Sequence, residues 1–253
     1  MMKALIYTIV LTLSLFSFAQ NSAMFDEANT LYKDGSYAKA LDKYNLIVEA
    51  GAHSAELYFN MANAHYKLNH IAPSIYYYEK ALLLKPNDKD IQNNLVFARN
   101  MTIDAIDKMP EVGFSKLTKT LTNRFSFDEW AKISIGLMLV FVLLFIAYYF
   151  SYSTSKKRFA FVTSLSSLVL ALVAVAFAFH SYDLAKKDQP AIVFAQESMI
   201  KNEPNRRSEE AFKLHEGTKV QVLDTLDEWK QIKISDGKTG WVVSTDLKML
   251  KTF

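Results

Sequence analysis

Asn21–Ser54 (NSAMFDEANTLYKDGSYAKALDKYNLIVEAGAHS) and Ala55–Asp88 (AELYFNMANAHYKLNHIAPSIYYYEKALLLKPND) decide the architecture, because a shift of 34 residues lays like onto like. Phe25 falls on Phe59, Ala28 on Ala62, Asn29 on Asn63, Tyr32 on Tyr66, Lys33 on Lys67 and Tyr44 on Tyr78. That period is the length of a helix–turn–helix unit, which cannot bury its apolar face alone and must stack on a neighbour. Small Ala28, Ala40, Ala62, Ser74 and Ala81 let helix axes approach closely, and Leu41, Tyr44, Met61, Ile75 and Tyr78 fill the seams. Gly35 and Asn69 fall at the turns, and Pro86-Asn87-Asp88 ends the second unit and caps the next helix. A helix from Lys89 to about Asp107 is expected to cap the stack. Two repeats and part of a third lie close to the minimum of about three needed for a continuous core, so the stack is expected to be only marginally stable alone.

In Ala55–Asp88 the residues Tyr58, Met61, Ala62, Ser74, Tyr78, Ala81 and Pro86 stand without a gap in the pattern of the tetratricopeptide repeat, which this stretch resembles. The first unit is looser and lacks the terminal proline. The resemblance implies an all-α solenoid over residues 20–108 with a concave groove lined by first helices. Phe25, Asn29, Tyr32, Lys33, Phe59, Asn63, Tyr66, Lys67 and Asn93 would point into it. Asn29 with Lys33, and Asn63 with Lys67, are i,i+4 pairs on one helix face. An Asn amide can bond an extended backbone and a Lys ammonium can hold a carboxylate, so the groove suits a peptide or a protein C-terminus. The alternative is that the rings pack and the Asn and Lys side chains are only solvated.

Residues outside the repeats place the chain at a membrane. Lys3, the apolar run Ala4–Phe18 and the small residues of Ser17-Phe18-Ala19 read as a signal peptide over 1–19, cleaved before Gln20. Ile133–Tyr152 and Phe159–Phe179 contain no Asp, Glu, Lys or Arg and are long enough to span a hydrocarbon core of about 30 Å. They read as transmembrane helices at 133–152 and 159–179, joined by a cytoplasmic loop at 153–158 carrying Lys156, Lys157 and Arg158. The export signal and the basic loop both put the flanking regions in the periplasm, although Lys116, Lys119, Arg124, Lys132, Lys186 and Lys187 dilute the charge bias. Residues 109–132 read as an amphipathic linker and 180–189 as a second linker. Neither span holds an ionisable group for transport. Ala160, Ser164, Ser167, Ala171, Ala174 and Ala178 form one small-residue face, suited to packing on the first span or on a partner helix.

After Pro190 the pattern changes to short alternating segments at 191–194, 218–223, 231–234 and 240–243, with Asp236-Gly237 as a hairpin turn. A β-barrel of five or six strands over residues 190–253 is expected. Leu214-His215-Glu216-Gly217-Thr218, Val220, Val222, Trp229, Ile232 and Gly240-Trp241-Val242 resemble bacterial SH3-like domains. That resemblance implies a ligand surface on Trp229, Trp241 and Phe212; the competing reading gives both tryptophans to the core and rim.

A net charge of +3 without a basic stripe argues against nucleic acid as a partner. With no cysteine, disulfides, thiolate metal sites and direct thiol redox chemistry are excluded. His53, His65, His70, His180 and His215 show no H-E-x-x-H spacing, and the seven glycines form no nucleotide fingerprint, so neither metal, cofactor nor catalysis is expected. The fold class is thus a multidomain membrane protein: tetratricopeptide solenoid, transmembrane helical hairpin and C-terminal SH3-like barrel. That order resembles the BatE-type proteins of the Bat aerotolerance operon. The resemblance implies a non-catalytic inner-membrane scaffold, with von Willebrand A-domain Bat proteins and a MoxR-type ATPase system as partners. A receptor that docks on peptidoglycan through the β-module and recruits a wall enzyme through the repeats is the alternative.

Overall fold

The computed structural model describes residues 21–106, 122 and 124–251, so the predicted signal peptide and most of the predicted amphipathic linker lie outside the described residues. The chain divides into two compact units, one made of the chain up to Lys108 and from Gln189 onward, the other of Met109–Asp188.

In the first unit, helix α1 covers residues 21–33 and is followed by α2 (Tyr37–Glu49), α3 (Ala55–Lys67), α4 (Ile71–Leu84) and α5 (Lys89–Arg99). Gly35 (φ 77°) and Asn69 (φ 60°), one repeat apart, each take the left-handed conformation that ends a first helix. Ser36 N–H then bonds to Leu31 O, and His70 N–H to His65 O, closing the same turn twice. Ser54 caps α3 through Leu57 N–H, and Asp88 caps α5 through Asp90 and Ile91 N–H. Ala28, Ala40, Ala62 and Ala81 are wholly buried beside Tyr44, Tyr58, Met61, Ile75 and Tyr78, so small side chains set the helix spacing and rings fill what remains. Helix α5 stops at Arg99, eight residues before its expected end. The chain beyond it is drawn instead to the β-module, where Asp104 and Ile106 find partners.

That module is one antiparallel sheet of seven strands: β1 (Pro190–Val193), β2 (Glu197–Lys201), β3 (Glu210–His215), β4 (Lys219–Leu226), β5 (Trp229–Lys233), β6 (Thr239–Val243) and β7 (Leu247–Met249). The order is β3-β2-β6-β5-β4-β1-β7, and the ladder ends at β3 and β7 without closing on itself. Strands β2, β3 and β7 had no sequence signal: ESMIK and EAFKLH do not alternate apolar with polar residues along their length, and the third is three residues long. Ile200, Leu214, Val220, Val222, Ile232 and Val242 form the module's core. Two of its buried residues, Ile192 and Leu250, belong instead to the hydrophobic core of the repeats.

The repeats and the β-module therefore share a packed junction. Glu79 of α4, 7% exposed, accepts from Arg99 of α5 and, at 2.7 Å, from Lys219 of β4. Asp104, 12% exposed, accepts from His215 N–H and Nδ1 at 2.7 Å each and from Thr218 Oγ1 at 2.6 Å. Tyr76 donates to Met249 O at 3.2 Å, and its ring meets Phe194 edge-on at 5.6 Å. Between them Gly217 (φ 87°) approaches so closely that a Cβ would stand 2.8 Å from Ile75 Cδ1 and from Thr102 Cγ2. The β-module thus covers one face of α4 and the chain that follows α5, where a complete third repeat would have packed.

The second unit is a pair of long helices, α6 (Phe127–Phe150) and α7 (Thr154–Lys187), both long and apolar enough to cross a membrane. At about 1.5 Å per residue they measure about 36 and 51 Å. Ser126 and Glu129 form a reciprocal capping box, so α6 begins inside the segment expected to be linker. The expected loop at 153–158 shrinks to residues 151–153: Ser153 precedes α7, and Lys156, Lys157 and Arg158, good helix formers, lie in its first turns. The expected linker at 180–189 is helical to Lys187, since no Gly or Pro interrupts it before Pro190.

Gly217→Val is expected to destabilise the first unit by about 2–4 kcal/mol through the strained φ and the overlap with Ile75, read as a lower urea midpoint. Asp104→Asn should cost about 1–3 kcal/mol by weakening bonds to three donors. Burial pushes the Asp104 carboxyl up, but the His215 N–H, the Thr218 hydroxyl and the His215 ring outweigh it and hold the group below its ordinary range. A depressed carboxyl stabilises the fold above its unfolded value, about pH 4, and that contribution disappears as pH falls further. The urea midpoint of Asp104→Asn should therefore fall less steeply than that of the wild type as pH drops below about 4.

Candidate functional site

First helices α1, α3 and α5 line a pocket of about 230 Å³, its wall made by Tyr32, Asn63, Tyr66, Lys67, Tyr78, Asn94 and Phe97. Four of the residues singled out from sequence, Tyr32, Asn63, Tyr66 and Lys67, meet here. Asn93 is exposed and off this wall, and α5 contributes Asn94 and Phe97 in its place. Phe97 is 59% exposed, an apolar rim beside an otherwise polar pocket. Phe97 stands one 34-residue shift beyond Asn63, so the repeat register marks its position, but the change from Asn to Phe hides the likeness.

Each repeat uses its Asn in the same way. Tyr44 donates to Asn29 Oδ1 at 2.6 Å, and Tyr78 donates to Asn63 Oδ1. Asn60 Nδ2 also donates to Asn29 Oδ1, at 2.8 Å, tying the two repeats together. The carbonyl oxygens of Asn29 and Asn63 are thus engaged within the fold, and the amide N–H groups are what these side chains can offer a ligand. Phe25 packs on Tyr44 and Phe59 on Tyr78 with ring centroids 5.9 Å apart in both, so these two phenylalanines are half-buried parts of the seam. Lys33 and Lys67 are exposed. No carboxylate lines the pocket, and Lys67 carries its one formal charge. Lys67 and the Asn63 amide offer donors, the Tyr32 and Tyr66 hydroxyls and the Asn94 amide can donate or accept, and with its one charge positive the pocket fits a carboxylate or a peptide segment.

In the β-module the three expected aromatic residues part company. Trp229 is 6% exposed. Trp241 is half-buried and pairs with Gln231 on β5 and Lys201 on β2. Because Trp229 lies two residues from Gln231, the two tryptophans are diagonal neighbours on one face. Phe212 pairs with Ile200 and packs against the module's core. An aromatic surface built from all three does not form.

In the helix pair, Ala160, Ser164, Ser167, Ala171 and Ala174 are buried. Ser167 donates to Leu137 O at 2.7 Å and Ser134 to Ala171 O at 3.2 Å, so this face of α7 lies against α6. Ala178 is half-buried and helps line an apolar groove of about 430 Å³ with Phe127, Ala131 and Val175. Among the described residues no group of three or more His, Cys, Asp or Glu side chains converges as a metal site.

The tyrosines that support the groove set an alkaline limit. Burial is the main cause that raises Tyr44 and Tyr58 to about 12 and also raises Tyr78, against an ordinary value of 10.0. A group raised in the folded state stabilises it fully below its unfolded value and loses that contribution as pH climbs through the folded one. Loss of helical circular dichroism is expected together with the tyrosinate absorbance change between about pH 10 and 12. Tyr78→Phe should lower stability by about 1 kcal/mol in urea.

Compared with known families, residues 55–88 match the tetratricopeptide repeat and residues 200–248 match the bacterial SH3 domain. A comparison with curated proteins gives no match. The chain thus carries two kinds of module associated with protein–protein interaction or cell-wall binding, together with two apolar helices.

Proposed function

We propose that this chain is a non-catalytic adaptor of the bacterial envelope, held in the inner membrane by α6 and α7, which captures an extended, acceptor-rich segment of a partner protein in the repeat groove. The observation that carries the reading is the carboxylate-free, singly cationic polar pocket of Tyr32, Asn63, Tyr66, Lys67 and Asn94 at the meeting point of three first helices. Its tyrosine supports are prefixed, so little side-chain entropy remains to be lost on binding.

Membrane topology is supported by the fold of the first unit. Residues before and after the helix pair pack into one core, which requires both flanks on the same side and hence an even number of crossings. The predicted export signal and the cationic start of α7 favour the periplasmic side for that unit. The order of modules supports a place in a Bat-type complex, with von Willebrand A-domain proteins and a MoxR-type ATPase system as partners in aerotolerance. An SH3-like barrel is the finer reading of the β-module. A second reading, docking on peptidoglycan, is favoured by the half-buried Trp241, which pairs with Lys201 and Gln231 and leaves part of one ring open to a ligand.

Full-length protein carrying Asn63→Ala and Lys67→Ala together should lose most of the membrane partner that the wild type retains in detergent pull-downs; equal recovery would remove the groove from the account. Wild-type chain that sediments with purified cell wall, and Trp241→Ala chain that does not, would favour the wall-receptor reading. A periplasm-dependent reporter fused after Phe253 should be active. Labelling of Lys156→Cys from outside intact cells would reverse the topology.

A further inference from the structure

His65 lies near the end of α3 and His70 immediately precedes α4, so the left-handed turn at Asn69 folds one imidazole back on the other. Their Nδ1 atoms are 3.2 Å apart, with ring centroids at 5.5 Å. His65 lies flat on Tyr77, with centroids 5.4 Å apart and planes 4° from parallel, and Tyr77 stacks in turn on Tyr58. One ring is therefore locked by its packing while the other, on exposed His70, stands at the surface.

In the absence of metal this separation is a single N–H···N bond, in which one Nδ1 carries the proton and the other accepts it. The same distance is close to the roughly 3.3 Å edge of a tetrahedral ion whose metal–nitrogen bonds are about 2.0–2.1 Å. We propose that His65 and His70 form a two-nitrogen site for a borderline divalent transition ion of the zinc–copper class, a role separate from the groove.

The turn already supplies the spacing, so binding needs little rearrangement. On metal capture the ring protonated at Nδ1 becomes its Nε2–H tautomer, both Nδ1 lone pairs meet the ion, and no proton is released while both rings are neutral. Imidazole nitrogen selects zinc-like and copper-like ions, whereas Ca²⁺ and Mg²⁺ need oxygen ligands that the pair does not supply. With two protein ligands, water completes the coordination, which makes this an exchangeable capture site. The ammonium of Lys248, on β7, lies over the Tyr76 ring at 4.8 Å, and Tyr76 packs on the Tyr77 ring that carries His65, so this cation stands in the neighbourhood of the site and opposes the incoming charge, which caps the affinity.

Calorimetric titration of the detergent-solubilised full chain, its affinity tag removed, should show one saturable Zn²⁺ per chain and no Mg²⁺ binding at the same concentrations. His70→Asn, a change at an exposed position, should weaken Zn²⁺ binding by about tenfold or more. Lys248→Gln should tighten it several-fold by removing the opposing charge. Absence of saturable Zn²⁺ binding, or equal affinity in wild type and His70→Asn, overturns the proposal.

Discussion

Two nearly buried carboxylates, Glu79 and Asp104, hold the β-module on the repeats, and most of the architecture depends on that junction. A carboxylate withdrawn from water is tolerated only when its lone pairs are filled. Glu79 meets this with Arg99 and Lys219, and Asp104 with the backbone, ring and hydroxyl donors of the turn between β3 and β4. Each acid therefore joins the two modules, and removing either partner leaves a charge or a donor stranded.

This junction explains how so short a solenoid holds together. Two helical repeats and one extra helix leave α4 and α5 with an apolar side that a third repeat would cover. Ile192 and Leu250 enter that core, and Gly217 lets a β-turn lie against Ile75 and Thr102. Burying two such aliphatic side chains contributes about 1.5–3 kcal/mol each, a meaningful share of the stability of a domain this size. The cap is covalently distant, since Met109–Asp188 lies between its two halves in sequence. Completion of the repeat core therefore waits on the helix pair, because the cap is not available until residues 109–188 have been made.

The groove and the junction divide the tyrosines between them. Tyr44 and Tyr78 brace Asn29 and Asn63 on the first-helix side, while Tyr76 turns to Phe194 and Met249 on the other. Three consecutive residues, Tyr76, Tyr77 and Tyr78, thus serve the β-module, the histidine turn and the groove, because successive positions on a helix point about 100° apart.

Local periodicity in the sequence encodes the repeats, the helix pair and four of the seven strands: a 34-residue shift, two uncharged runs of about 20 residues, and alternation around Val220, Ile232 and Val242. It also marked four residues of the pocket wall, since an i,i+4 face is a local property. Tertiary structure alone decided what local pattern does not encode. Asp104, 111 residues from His215, reads as a loop acid until the β-module arrives. Strands β2, β3 and β7 gain their order from neighbours, Asn94 takes the place of Asn93 by one step of helical phase while Phe97 stands one repeat beyond Asn63, and Trp229 is buried while Trp241 is half-buried. The Asn carbonyls likewise turn inward to the tyrosines, a choice fixed by hydrogen-bond satisfaction across helices and therefore invisible in the spacing of any one of them.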